Sequence, residues 1–201
     1  MILSDREIQD AIKKKQIIID PIPQPQQYTT SAVDLCLGDE LFELKTIAEL
    51  QQDEPAGMER DATVNLLTVD VKDLYRKYAK PLPRETDGSF KLPPHKFVLG
   101  ITREYVELPR KSKIAARVEG RSTLARLGLV VHLTAPTIHS GFPGRIVLEM
   151  YNFGTYPLRL VPNQLAICQL IFERIGKVSS GPINTKYIQQ KDCQITIVKP
   201  H

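Results

Sequence analysis

Cysteine is scarce in this 201-residue chain: Cys36, Cys168 and Cys193 are odd in number and far apart. No paired thiol spacing exists to hold a zinc knuckle or lay out a disulfide framework, so the three read as small buried hydrophobes. No stretch approaches the roughly 20 apolar residues needed to cross a bilayer, and no apolar segment follows a basic cluster at the start. A membrane is therefore excluded as a partner, and a cytoplasmic location is expected. Charge of one sign is not massed anywhere either, since Lys and Arg total 27 against 23 Asp and Glu, a formal net charge of +4. So small and dispersed an excess argues against nucleic acid but leaves room for a small polyanion. Repeats and low-complexity tracts are absent, and His95, His132, His139 and His201 form no close ligand pair.

What is present begins with a helix. Ser4 and Glu7 have the spacing of a capping box, and Ile8, Ala11 and Ile12 share one face, which predicts a short amphipathic helix over residues 4–14. Residues 17–25 form a β-branched run broken by Pro21, Pro23 and Pro25, a short strand leading into extended chain. Residues 31–38 alternate and end at Gly38 in a turn signal. From 45 to 92 the pattern loosens into polar and acidic residues, with a short helix expected at 71–78, and reads as an insertion or flap. After Pro93 and Pro94 come short apolar strands at 97–102, 114–118, 129–133, 146–151, 158–160 and 165–172. Their regular spacing predicts a mainly β fold, a barrel or jelly-roll-like sandwich. Residues 176–201 form a tail outside the core, suited to packing on a neighbouring subunit or to fraying.

Two segments could carry chemistry. Residues 120–128 read as one or two helical turns stopped by Gly128. Ser122 and Arg126 share a face, and Arg121, Ser122 and Thr123 crowd the end where backbone N–H groups are unsatisfied, a suitable place for phosphate oxygens. The same residues also suit a capped surface helix with solvated arginines. The second segment, 134–144, is a turn-rich hairpin leading into a strand with Ile146, Leu148 and Met150 on one face and Val147, Glu149 and Tyr151 on the other. If the second face is buried, desolvation raises the Glu149 pKa toward neutrality, as suits a group that takes and returns protons. An outward-facing solvated glutamate is the other reading of the same pattern.

The ordered blocks resemble those of a known family. Residues 121–129 (Arg-Ser-Thr-Leu-Ala-Arg-Leu-Gly-Leu), 132–135 (His-Leu-Thr-Ala), 141–144 (Gly-Phe-Pro-Gly) and 148–152 (Leu-Glu-Met-Tyr-Asn) are similar to the signature segments of dCTP deaminases. Residues 2–5, 34–38 and 105–109 add to the likeness, which runs to about residue 173. The resemblance implies a dUTPase-like distorted jelly-roll or β-barrel with a few short helices, assembled as a homotrimer. It implies one deaminase domain over residues 1–175, with 45–92 inserted, and a tail over 176–201 that closes the active site.

It also implies hydrolytic deamination of dCTP to dUTP and ammonia in the synthesis of dUMP and dTTP. The chain lacks the His-x-Glu and Pro-Cys-x-x-Cys segments of the zinc nucleobase deaminases, so zinc is not expected and Mg²⁺ would arrive bound to the triphosphate. By the resemblance, Glu149 is the general base and proton shuttle. Ser122 and the Ala135 carbonyl fix the water and the exocyclic amine, and Arg126 lies near the catalytic group. Arg121, Ser122 and Thr123 grip phosphates, with Arg126, Thr137 and His139 also lining the substrate site. Lys186, Tyr187 and Gln190 match a Lys-Tyr-x-x-Gln tail pattern, although Lys191-Asp192-Cys193 departs from the Gly-containing continuation. His132 matches a family histidine near the site and reads equally as a satisfied core histidine. The resemblance also admits dTTP as an inhibitor.

His139 stands where trimeric dUTPases, and deaminases that also cleave the product, carry an aspartate. Little hydrolysis to dUMP is therefore expected, with a bifunctional deaminase and diphosphatase, or a dUTPase, as the alternative. A nucleotide-binding trimer without turnover is the reading from another class, and a binding module has no need of a carboxylate in an apolar setting.

Overall fold

The computed structural model describes residues 1–53 and 63–177. Helix α1 (Asp5–Lys13) forms as its capping box requires: the Glu7 N–H donates to Ser4 Oγ, the Ser4 N–H donates back to the Glu7 carboxylate, and Ile8 and Ala11 are buried. Next come β1 (Ile18–Asp20), a 3-10 turn at Pro25–Gln27, and β2 (Val33–Leu44). Helices α2 (Ile47–Asp53) and α3 (Val71–Tyr78) follow, then β3 (Ala79–Pro81), β4 (Phe90–Leu92) and β5 (Phe97–Glu107). The chain continues through β6 (Ile114–Gly120), the single-turn helix α4 (Ser122–Ala125), β7 (Leu129–Val130) and β8 (Thr137–Ile138). It finishes with β9 (Pro143–Asn152), β10 (Leu158–Leu160) and β11 (Ala166–Arg174). Among the described residues no helix is long and apolar enough to cross a membrane.

The fold is mainly β, as the strand spacing predicts. Its principal sheet runs β7-β9-β5-β2-β11-β6-β8, with β1 added on β5 and β3 on β2, and β4 pairs separately with β10. The edge strands β7 and β8 are joined directly by residues 131–136, whose fully extended reach is about 20 Å. The sheet must therefore curl until its two edges face each other, and that short connection spans the gap. Inside the curl lies one core built from alternate residues of the long strands, among them Leu35, Leu37, Val118, Leu148, Met150, Leu170 and Phe172.

Gly38 is a point where the structure departs from the sequence reading. It does not end its strand: β2 continues to Leu44, and the irregularity is a bulge between Leu37 and Leu41 in the pairing with β5. Glycine is needed there because a Cβ would sit 2.8 Å from the Ile101 carbonyl oxygen. Strand β7, expected over 129–133, stops at Val130 because the chain leaves the edge to make the crossing. Within 45–92, helix α3 has the expected bounds, while β3 and β4 join sheets and Leu82, Phe90 and Leu92 enter the core. Cys36 and Cys168 are buried free thiols, and Cys193 lies outside the described residues.

Two devices hold β9 in place. Its pairing with β5 is irregular between Ile101 and Tyr105, which would orphan a ladder donor. The Thr102 hydroxyl repairs this, accepting the Ile146 N–H at 2.9 Å while donating to the Glu104 carbonyl at 2.9 Å. At the far end, the fully buried Asn152 donates to the Leu92 and Tyr156 carbonyls and accepts from the Gly154 N–H. The Asn152 turn packs against Gly128, which closes α4 at φ +87°, and a Cβ on Gly128 would run into the backbone of Gly154. Gly128→Ala combines a left-handed strain of about 1–3 kcal/mol with that clash. A lowered denaturant midpoint with an unchanged slope is the expected result in chemical unfolding.

Candidate functional site

Glu149 lies on the half-buried face of β9 between Val147 and Tyr151, opposite Leu99 of β5. That face is covered: Val147 packs into a second apolar cluster formed by Phe42, Ala79, Leu99 and Ile101. The alternation read from the sequence is observed, with Ile146, Leu148 and Met150 buried beneath. Burial of the Glu149 carboxyl is the largest influence on it and pushes its pKa above the usual carboxylate value. Its own backbone N–H, the His132 charge and the Leu133 N–H act in the opposite sense. The chain crossing between β7 and β8 thus lies over Glu149, and its amide and imidazole temper the desolvation.

His132 is itself flanked by acid. Its Nε2 lies 3.9 Å from the Glu119 carboxylate of β6, while its buried Nδ1 has no hydrogen-bond partner among the described residues. The crossing then runs through the exposed Leu133, Thr134 and Ala135 and is pinned at its far end, where the Val118 N–H donates to the Pro136 carbonyl at 2.8 Å. Ala135 therefore lies two residues beyond the amide that contacts Glu149. Thr137 sits on β8 opposite Arg117, and both it and His139 are exposed.

Helix α4 gathers the other candidates. Arg121 is its N-cap, Ser122 and Thr123 are exposed in its first turn, and Arg126 is its exposed C-cap, with its N–H bonded to the Ser122 carbonyl at 3.1 Å. Ser122 and Arg126 occupy the same side of this turn, as their spacing implies. Arg121 differs from a solvated arginine. Its Nη2 lies 3.2 Å from an oxygen of the buried Asp34, and its Nη1 donates to the Ala166 carbonyl at 3.3 Å.

Within one protomer, Glu149, His132 and the crossing form one group, and Arg121, Ser122, Thr123 and Arg126 form another. Among the described residues Arg126 makes no ion pair with Glu149; the basic side chain that acts on this carboxyl is His132. Asp34 and Glu119 are the residues that sequence reasoning left out. Asp34 carried the signal used for Glu149, a lone carboxylate in an apolar strand, whereas Glu119 meets His132 only through the fold. Lys186, Tyr187 and Gln190 lie outside the described residues. Among the described residues no set of three or more His, Cys, Asp or Glu side chains is placed to hold a metal ion.

The raised Glu149 pKa has a consequence for stability. Between the unfolded value, near 4.5, and the folded one, the native state binds more protons than the unfolded state, so this group's contribution falls as pH rises through that window. Glu149→Gln is expected to match wild type in thermal midpoint near pH 4 and to exceed it at pH 7 to 8. A midpoint difference that does not grow with pH would count against the desolvated carboxyl.

A family model described as dCTP deaminase-like matches residues 2–175. The chain is 35% identical over 203 residues to the "dCTP deaminase, dUMP-forming" of Methanobrevibacter smithii, covering 98% of this chain and 95% of that protein. It is 37% identical over 185 residues to the "dCTP deaminase" of Rhodospirillum rubrum, covering 90% and 87%. In three dimensions it resembles the crystal structure of 2'-deoxycytidine 5'-triphosphate deaminase from Agrobacterium tumefaciens, with a TM-score of 0.58 at 17% identity over 85% of this chain. That likeness concerns the fold, and this chain spans 47% of the length of that one. With a family model over nearly the whole core and relatives above 30% identity along the full length, the chain belongs to the dCTP deaminase-like family.

Proposed function

We propose that this protein deaminates dCTP to dUTP and ammonia, with Glu149 as the group that moves protons. The observation that carries the reading is a half-buried carboxyl, raised in pKa, lying under a backbone crossing that includes Ala135. In the proposed reaction Glu149 takes a proton from a water whose oxygen attacks C4 of cytosine. The proton passes to the ring nitrogen N3, and a second proton reaches the exocyclic amine as the C4–N bond breaks. Ammonia leaves and the C4 carbonyl of uracil remains. Ser122 and the Ala135 carbonyl would hold the water and the amine, and Arg126 would offset negative charge developing near the base.

The two groups of residues meet, in this proposal, across the interface of a homotrimer, where α4 of one protomer faces Glu149 of the next. Arg121, Ser122 and Thr123 would then hold phosphate oxygens of the Mg²⁺-bound nucleotide, with Thr137 and His139 toward the sugar and base. Lys186, Tyr187 and Gln190 would close over the triphosphate, and dTTP would compete for the same pocket.

A second reading extends the first: the dUTP formed is cleaved in place to dUMP and pyrophosphate. It is supported by the name of the Methanobrevibacter smithii relative. Against it stands His139, an exposed imidazole at the place of the aspartate noted above. Incubation with dCTP and Mg²⁺, with ammonia and nucleotides followed by chromatography, separates the two. Accumulating dUTP supports deamination alone, whereas dUMP with pyrophosphate assigns the second reading. Consumption of dUTP with dCTP untouched overturns both. Glu149→Gln is expected to lower kcat by about 10²–10⁴-fold, the range for a general base, while dCTP binding persists. Tight dCTP binding without product in the wild-type protein would leave only a nucleotide-binding trimer.

A further inference from the structure

Asp34 is a carboxylate set near the start of a core strand, β2. Val33 and Leu35 beside it are fully buried, and its own side chain is only 8% exposed. A charge at such a place persists only where donors replace its lost water. Two donors do so, one on each oxygen. Gln169, its register partner on β11, donates Nε2–H to Oδ1 at 3.1 Å, and Arg121 brings Nη2 to 3.2 Å from Oδ2. With Nη1 also bonded to the Ala166 carbonyl, the guanidinium is held by two strand-borne acceptors on β2 and β11 while a third of the Arg121 side chain stays open to solvent.

We propose that Asp34 is a positioning residue for the triphosphate, acting through Arg121. A guanidinium carries five N–H donors, so two anchored nitrogens leave others for phosphate oxygens beside the exposed Ser122 and Thr123. An unanchored arginine loses its rotamer freedom when it binds, whereas one already fixed on a sheet has lost it during folding. The inference rests on the proposed phosphate role of Arg121. It also runs against simple charge counting: Asp34 subtracts a positive charge from the phosphate site, so Coulombic attraction alone would make Asp34→Asn bind nucleotide more tightly. Positioning requires weaker binding. In Asp34→Asn the Gln169 amide can turn over to accept from the new NH₂ group, but Arg121 loses the charge of its acceptor, and the clamp weakens.

The test is steady-state kinetics with Mg²⁺-dCTP, together with inhibition by inorganic triphosphate as a probe of the phosphate site. Asp34→Asn is expected to raise both KM and the inhibition constant roughly tenfold, the scale of one charge-assisted hydrogen bond. Its kcat should stay within about twofold of wild type, because no transition-state contact is removed. Arg121→Lys, which keeps the charge but not the fork, should show the same rise, and the double variant should be no worse than Arg121→Lys alone. Unchanged or tighter binding in an Asp34→Asn protein of wild-type melting temperature overturns the inference, as does an additive double variant. Should Asp34→Asn fail to fold, Asp34→Glu, which keeps the charge but displaces the carboxylate, takes its place: wild-type constants overturn the inference, and raised constants support it. If Arg121→Gln binds triphosphate as wild type does, the phosphate role of Arg121 falls and the positioning role with it. If Arg121→Gln weakens binding while Asp34→Asn does not, the positioning role falls alone.

Discussion

The register of β9 against β5 is the constraint on which the candidate site depends. Side chains on a strand alternate with a period of two, so a slip of one residue would carry Glu149 into the core and Met150 into its place. The cost of burying an unpartnered carboxylate beside Leu148 opposes that slip, but the local irregularity between Ile101 and Tyr105 invites it. The Thr102 hydroxyl resolves the conflict by taking over the Ile146 N–H, so the bulge is absorbed before the Glu149 end of the strand. Beyond it the ladder is regular from Ile101 opposite Val147 to Phe97 opposite Tyr151, and buried Asn152 ends it.

Both charged groups then follow one physical logic, in which a side chain withdrawn from water is met by a donor or charge from a neighbouring strand or loop. Glu149 has the Leu133 amide and His132, while His132 has Glu119. Asp34 has Gln169 and Arg121. The two arrangements are linked through the sheet, because Asp34 pairs with Gln169 and Gln169 pairs with Glu119 across β2, β11 and β6. A row of polar residues therefore crosses three adjacent strands of the sheet, with the candidate phosphate grip near one end and the partner of His132 at the other.

Much of this was legible in the sequence because it is local. The capping box at Ser4, helix α3, strand β10 and the alternation of β9 each need only a few adjacent residues, and each forms where expected. Gly38 was misread because its significance is not local: a glycine between apolar runs signals a turn unless another strand approaches its Cα, and only the fold brings the Ile101 carbonyl there. Strand β8 has two residues and no pattern, and exists only because β6 pairs with it. At the site, the face shared by Ser122 and Arg126 was readable from spacing. The half-burial of Glu149 was one of two readings, and neither Glu119 nor Asp34 could be matched to a partner without knowing which strands adjoin.

The degree of burial of Glu149 is a compromise that the proposed chemistry requires. A fully solvated carboxylate is a weak base, poorly matched to a proton that must be taken and returned near neutral pH. A fully buried one would remain protonated and could take none. Here burial dominates and raises the pKa, while Glu149's own backbone N–H, His132 and the Leu133 amide restrain the rise. The last two come from the same crossing between β7 and β8, so the geometry that closes the curled sheet also contributes to tuning the acid. Any rearrangement of residues 131–136 would change the position of Ala135 and the basicity of Glu149 together, because His132 and the Leu133 amide lie on the same short crossing.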